Sequence, residues 1–137
     1  MDILRQLYGG ILVPTAVAEE LSRNGCSLAA DWISVQAPDH EGAVRALQVE
    51  LDPGESEVIV LAEERLADLL LIDERRGWRI ATSRSLTCVG LLGVLAEAKR
   101  RGVINECRPI LDAMIHRAGF WIGDHLRERF LAGVNEA

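Results

Sequence analysis

One helix followed by one strand constrains the fold of this chain more than any other segment does. The sequence LDPGESEVIVLA at residues 51–62 contains Pro53 and Gly54, which interrupt regular secondary structure, then two glutamates and an apolar run. Acidic side chains in a first turn interact favourably with the helix dipole, so we predict a helix over 55–66. Four consecutive apolar residues follow at 69–72, a pattern that predicts a strand buried on both faces in a parallel sheet.

Asp73 directly follows this predicted strand. In open α/β sheets, ligands bind at the carboxyl ends of the strands, so Asp73 is the carboxylate that we most readily assign to chemistry. The structural alternative is that Asp73 caps the helix that follows it.

Short strands and helices alternate along the rest of the chain. We predict further strands at 11–13, 32–35 and 87–89, further helices at 2–8, 14–22, 41–50, 74–83, 91–101, 105–118 and from 124 onward, and an extended segment at 119–122. This rhythm predicts an α/β fold with parallel pairing and right-handed crossovers. The length of 137 residues and the absence of a long linker predict a single domain over residues 1–137.

Charge is distributed unevenly between the two halves of the sequence. The net charge of −6 argues against a protein that coats nucleic acid nonspecifically. Residues 1–73 carry 4 basic and 14 acidic side chains, whereas residues 74–137 carry 11 basic and 7 acidic ones. The asymmetry is compatible with a carboxylate pocket beside an arginine-rich surface, and the alternative is an ordinary solvated surface.

The sequence contains no segment typical of export or membrane insertion. Its apolar stretches are far shorter than a membrane span, and its start has neither the basic region nor the apolar core of a signal peptide. We therefore expect a cytoplasmic protein without a membrane partner. Cys26, Cys88 and Cys107 are widely spaced, and we interpret them as small buried apolar residues.

Several carboxylates are candidate ligands of a magnesium or manganese ion. These hard cations favour oxygen ligands and retain waters that can be activated. The candidates are Glu20, Glu55, Glu57 and Asp73. The alternatives are that Glu55 and Glu57 only stabilise a helix N-terminus and that Glu20 is an exposed helical charge.

The residues after Asp73 are rich in arginine. Arg75, Arg76 and Arg79 are candidates for binding a phosphate backbone or an acidic partner segment.

Other kinds of site are poorly supported. The histidines His40, His116 and His125 lack metal-ligand spacing. A nucleotide-binding α/β protein is a weak hypothesis, because the stretch from Gly90 to Gly93 lacks both the spacing and the lysine of a phosphate loop. We interpret these two glycines as allowing close packing between a strand and a helix.

Four segments together resemble a known family. They are LDPGESEVIVLA at 51–62, ADLLLIDERRGWRIA at 67–81, CVGLLGVLAEAKRRGVI at 88–104 and AGFWIGDHLRERFL at 118–131. The chain resembles the prokaryotic PIN-like proteins, long catalogued as a domain of unknown function beside toxin–antitoxin genes. Residues 11–21 also resemble the early strand and helix of that family, so the resemblance runs over nearly the whole chain.

The resemblance implies a three-layer α/β/α PIN-like fold with a central, mainly parallel sheet. It also implies a carboxylate cluster that binds Mg²⁺ or Mn²⁺, whose activated water hydrolyses single-stranded RNA. Glu20 matches the second acidic position of the family, either Glu55 or Glu57 matches the third, and Asp73 matches the fourth. The partners implied are single-stranded RNA, an antitoxin protein and further copies of the chain.

The sequence departs from the family pattern at two places. PIN-like proteins normally begin with a strand that ends in an aspartate, and this aspartate is the first metal ligand. In this sequence, which starts at Met1 with a predicted helix, we expect that first strand to be missing. Asp2, at a predicted helix start, is not a substitute for that aspartate. Leu91 stands where relatives tend to have a small hydroxyl residue.

Two functional hypotheses follow. The leading one is a metal-dependent ribonuclease of the toxin–antitoxin type. The alternative is a noncatalytic PIN-like module that has lost its metal site and serves partner binding or dimerisation.

Overall fold

Helices and short strands alternate along the chain in this computed structural model, which describes residues 2–117 and 122–137. The elements are α1 (Asp2–Tyr8), β1 (Ile11–Pro14), α2 (Thr15–Arg23), β2 (Ile33–Gln36), α3 (Glu41–Leu47), α4 (Pro53–Arg65), β3 (Leu70–Leu71), α5 (Arg75–Ser83), β4 (Cys88–Val89), α6 (Leu91–Arg100), α7 (Arg108–Arg117) and α8 (Asp124–Gly133). The α/β class and the order of the predicted elements are confirmed. Of the extended segment predicted at 119–122, residues 119–121 lie outside the described residues.

The chain divides into two compact units by its internal contacts. Unit 1 is Met1–Leu91 and unit 2 is Leu92–Ala137. The single domain predicted over 1–137 stays a prediction. Among the described residues, no helix combines the length and the apolar character needed to cross a membrane.

The strands of unit 1 pair in parallel, as predicted. Strand β1 pairs with β2 in a register that runs from Ile11 opposite Ile33 to Pro14 opposite Gln36. Strand β3 pairs with β4, and Leu70 lies opposite Cys88. The described strands therefore form two parallel pairs, each with a crossover that contains a helix.

Only one face of the segment at 69–72 is buried. Leu70 and Ile72 are 3% and 4% exposed and join the main core of unit 1. Leu69 and Leu71 are 37% and 40% exposed. The prediction that this strand is buried on both faces is wrong, because alternate side chains point to opposite faces and the core covers only one of them.

Helix α4 is buried around most of its circumference. Ile59, Val60, Leu61 and Ala62 occupy consecutive positions and are all buried, so they point to different sides of the helix. The helix contacts α2, α3, α5, β1 and β3. A helix that is apolar on several sides belongs in a core, and α4 is the element around which unit 1 is built.

Helix α4 begins two residues earlier than predicted. Asp52 is its N-cap, and Asp52 Oδ1 accepts a hydrogen bond of 2.8 Å from the Glu55 N–H. Pro53 occupies the first helical position, where a missing N–H costs no intrahelical bond. Pro53 and Gly54, predicted to interrupt the secondary structure before the helix, therefore form part of its first turn.

Unit 2 has a separate apolar core, formed by buried Leu95, Cys107, Leu111 and Leu131. Cys107 is buried as predicted. That prediction is wrong for the other two cysteines, which are only partly buried: Cys26 lies in the loop between α2 and β2, and Cys88 in β4 packs against the main core without being enclosed by it.

Glu136 connects three parts of unit 2 through its carboxylate. Its Oε2 accepts hydrogen bonds from the Cys107 N–H at 2.8 Å and from Lys99 Nζ at 3.0 Å, and its Oε1 accepts one from the Arg108 N–H at 2.9 Å. Helix α7 therefore begins at Arg108 rather than at 105, because a distant carboxylate caps it there. These bonds, led by the one from Cys107, lower the pKa of Glu136 from 4.5 to about 2.

We expect Glu136 to make the stability of the chain depend on acidic pH. Its pKa is lower in the folded chain, so its contribution is present above pH 4.5 and is lost as the pH falls towards about 2. Glu136→Gln removes this contribution, because an amide accepts at only one of its two terminal atoms. In thermal melts followed by circular dichroism, the Tm of the variant should lie below the wild-type Tm at neutral pH. The two values should converge in acid, and a difference independent of pH would contradict the assignment.

Candidate functional site

Glu57 projects from the first turns of α4 to the N-terminus of α2. Its Oε1 accepts hydrogen bonds from the Thr15 hydroxyl and the Ala16 N–H, both at 2.9 Å. Pro14 precedes α2 and offers no side-chain cap, so Glu57 caps this helix from a distant part of the chain. The structural alternative named α4 as the helix that Glu57 stabilises, whereas the helix that it caps is α2.

Asp73 lies just beyond the carboxyl end of β3, as predicted, and is exposed. Its Oδ1 accepts a hydrogen bond of 2.9 Å from the Leu91 N–H, at the first residue of α6. The alternative that Asp73 caps the helix directly after it is wrong. Helix α5 has Glu74 as its N-cap, without a side-chain hydrogen bond, and the Asp73 carboxylate binds the Leu91 N–H instead.

Glu55 and Glu57 lie in the same turn of α4 and face different neighbours. Glu55 Oε2 is buried and, within the described residues, has no hydrogen-bond partner. This atom lies against α5, where a Cβ placed on Gly77 would be only 2.4 Å away. Burial, followed by the hydrogen bond and charge of Asp52 and the charge of Glu74, raises the pKa of Glu55 to about 7.

A cavity of about 380 Å³ lies beside Glu55 in unit 1. Its lining combines acidic and basic side chains with one apolar residue, Leu51; the charged residues are Glu50, Asp52, Glu55, Glu74, Arg75, Arg76 and Arg79. The three arginines predicted to bind RNA therefore line one cavity. Arg76 also donates a hydrogen bond of 3.2 Å to the Glu50 carbonyl oxygen.

The predicted metal ligands do not form a cluster in the described residues. No three His, Cys, Asp or Glu side chains within 2–117 and 122–137 form a group that could hold a metal ion. Glu20 is exposed on α2. The roles of Glu20, Glu55, Glu57 and Asp73 as ligands stay predictions.

Glu57 and Asp73 nevertheless have the chemistry that a hard cation requires. Each uses one carboxylate oxygen to cap a helix, and the hydrogen bonds of the described residues give its second oxygen no donor. Magnesium is commonly bound by one or two carboxylates, with waters and substrate phosphates as its other ligands. Glu57 and Asp73 each have one oxygen available for such an ion, whereas Glu55 Oε2 is buried without a hydrogen-bond partner.

Sequence reasoning did not identify Thr15 as part of this arrangement. The hydroxyl of Thr15 binds a carboxylate 42 residues away in the chain. Only an indirect signal of this contact is present in the sequence. Pro14 stands at the predicted start of the helix and provides no side-chain cap, so the cap comes from a residue elsewhere in the chain.

One comparison with known proteins identifies a family. The family model described as "DUF3368: PIN domain" matches residues 1–136. No curated protein and no solved structure matches the chain. The resemblance drawn from the four sequence segments is confirmed over nearly the whole chain, although residues 118–121 of the last segment lie outside the described residues.

Glu57→Ala should destabilise the chain, whereas Glu20→Ala should not. The first substitution leaves two donors at the start of α2 without their acceptor, which costs about 1–2 kcal/mol of unfolding free energy. Glu20 is exposed, so its loss should change that free energy by less than about 0.5 kcal/mol. Urea unfolding of both variants measures the difference, and equal effects would contradict the capping role of Glu57.

Proposed function

This chain belongs to the PIN domain family, and on that basis we propose that it is a metal-dependent ribonuclease that cleaves single-stranded RNA. The observation that carries the proposal is the placement of Asp73. It is an exposed carboxylate at the end of a parallel strand, with one oxygen held by the Leu91 N–H and the other without a donor. Ligands of α/β sheets bind at this end of the strands.

Asp73 and Glu57 are the residues that would hold the Mg²⁺ or Mn²⁺ ion. The ion, when bound, supplies an activated water and stabilises charge on the phosphate. We assign the third acidic position of the family to Glu57 rather than to Glu55. Glu55 has its Oε2 buried against Gly77, whereas Glu57 keeps one carboxylate oxygen that no described residue binds. Glu20 remains a candidate by resemblance alone.

Arg75 and Arg79 are suited to binding the RNA backbone. They are four residues apart on α5, so they lie on the same face of the helix, and both line the cavity beside Glu55. Neither forms an ion pair with another described residue, so their guanidinium groups are available to phosphate oxygens. Arg76 is partly committed to the Glu50 carbonyl.

A second candidate function is a noncatalytic PIN-like module. Glu57 and Asp73 both serve as helix caps, and the described residues contain no group of three metal-binding side chains. These two observations favour partner binding without catalysis. An antitoxin protein and further copies of the chain are partners proposed from the family resemblance under either function.

Cleavage of a mixed-sequence single-stranded RNA with Mn²⁺ tests the leading proposal. We expect Asp73→Asn to lower the cleavage rate by at least about 100-fold, because an amide is a poor ligand for the ion. Asp68→Asn is the matched control, since Asp68 is exposed near the other end of β3 and should leave the rate unchanged.

Thermal melting with and without Mn²⁺ separates the two candidate functions. A ribonuclease with an intact site is stabilised by the ion through mass action. If Mn²⁺ does not raise the Tm and both aspartate variants cleave RNA equally, the activity is a contaminant and the noncatalytic function is correct.

Binding of RNA to the inactive Asp73→Asn protein tests the arginines. Arg79→Ala should weaken binding and lower the slope of log affinity against log salt by about 0.7, the value for one lost phosphate contact on a single strand. Arg84→Ala is the control, because Arg84 is paired with Glu63 at 2.8 Å and lies outside the cavity. Equal losses in fluorescence-anisotropy titrations would contradict a specific role for the cavity.

A further inference from the structure

The residue before α6, Gly90, faces the carboxylate of Asp73. A Cβ placed on Gly90 would lie 2.8 Å from Asp73 Oδ1, a separation that Cβ atoms essentially never show. The next nearest atoms, the Ile72 carbonyl oxygen and Asp73 Cγ, are 3.8 Å and 3.9 Å away. The space that a side chain at position 90 would need is thus occupied by one carboxylate oxygen.

The backbone conformation of Gly90 does not explain why a glycine is present. Its φ lies outside the left-handed region, which in the described residues contains Gly9, Gly25 and Gly102 among the glycines. Such a φ is open to L-residues as well as to glycine. Steric conflict with the Asp73 carboxylate is the restriction that remains.

The oxygen that excludes a side chain at position 90 is also the oxygen that binds α6. Asp73 Oδ1 accepts the Leu91 N–H at 2.9 Å, from the residue directly after Gly90. Aspartate has a short side chain with few rotatable bonds, so a shift of Oδ1 away from a new Cβ also lengthens or bends this hydrogen bond. Close approach of Gly90 and capping of α6 are therefore parts of one arrangement.

We propose that Gly90 is a positioning residue for Asp73. The missing side chain allows the carboxylate to lie against the start of α6, where the Leu91 N–H holds Oδ1 and Oδ2 is left for a ligand. This role is more specific than general packing of a strand against a helix. Its consequence for metal binding rests on the proposed function, whereas the placement of the carboxylate does not.

The substitution Gly90→Ala tests this role with two independent readouts. In the metal-free protein, the Leu91 amide should exchange its hydrogen about tenfold faster by NMR, because its acceptor is displaced. In titrations followed by electron paramagnetic resonance, Mn²⁺ should bind about tenfold more weakly, as for other losses of ligand orientation. Gly10→Ala is the matched control, because its Cβ would meet only the Trp32 carbonyl oxygen at 3.5 Å.

A double-mutant cycle separates positioning from a general loss of structure. Gly90→Ala should weaken Mn²⁺ binding in the wild-type background and have no further effect in an Asp73→Asn background. Leu91→Pro gives a second route, because it replaces the N–H donor with a ring Cδ directed at Asp73 Oδ1, at a helix start that tolerates proline, and adds no atom at position 90. It should weaken Mn²⁺ binding as Gly90→Ala does, even if Gly90→Ala does not fold.

The outcomes distinguish this inference from the proposed function. Unchanged exchange of the Leu91 amide in folded Gly90→Ala would overturn the positioning role. If Gly90→Ala lowers the Mn²⁺ affinity equally in the wild-type and Asp73→Asn backgrounds, the positioning role is overturned as well, since the effect would not act through Asp73. If wild-type protein binds no Mn²⁺, the metal-dependent function fails, and the exchange rate of Leu91 still decides the placement of Asp73.

Discussion

Burial of α4 on several sides is the constraint on which the rest of unit 1 depends. Ile59 is fully buried, and its neighbours leave the middle of the helix without a solvent face. Two strands and three helices must therefore pack around it. Because α4 is held in this way, its first turn is fixed, and Glu55 and Glu57 project towards different helices. The separation of these two carboxylates is a consequence of core packing.

Carboxylates from distant parts of the chain cap three of the helices. Glu57 caps α2, Asp73 caps α6 and Glu136 caps α7. Glu136 uses both of its oxygens and has a side chain only 9% exposed, so its role is structural. Glu57 and Asp73 each use a single oxygen and keep a second one for another ligand. The number of oxygens engaged in capping therefore distinguishes Glu136 from Glu57 and Asp73.

Much of the fold was predictable because its signals are local. Apolar runs, turn residues and the charges at helix ends located the helices and strands, and the apolar run ending at Asp73 placed this residue at the edge of a parallel pair. The ends of α4 and α7 were less predictable. Asp52 caps α4 through its own neighbours, but α7 begins where Glu136 reaches it from 28 residues away. The pairing of Glu57 with Thr15 was hidden for the same reason.

The sequence by itself determined the family, the α/β class and the residue types of the candidate site, since these depend on local patterns and on motifs along the chain. Only the tertiary structure decided which carboxylate oxygens are available, that Glu55 is pressed against Gly77, and that Gly90 leaves room for Asp73. These properties depend on distances of a few ångströms between residues far apart in the chain. Such distances are set by how the helices and strands pack, which no local pattern of residues encodes.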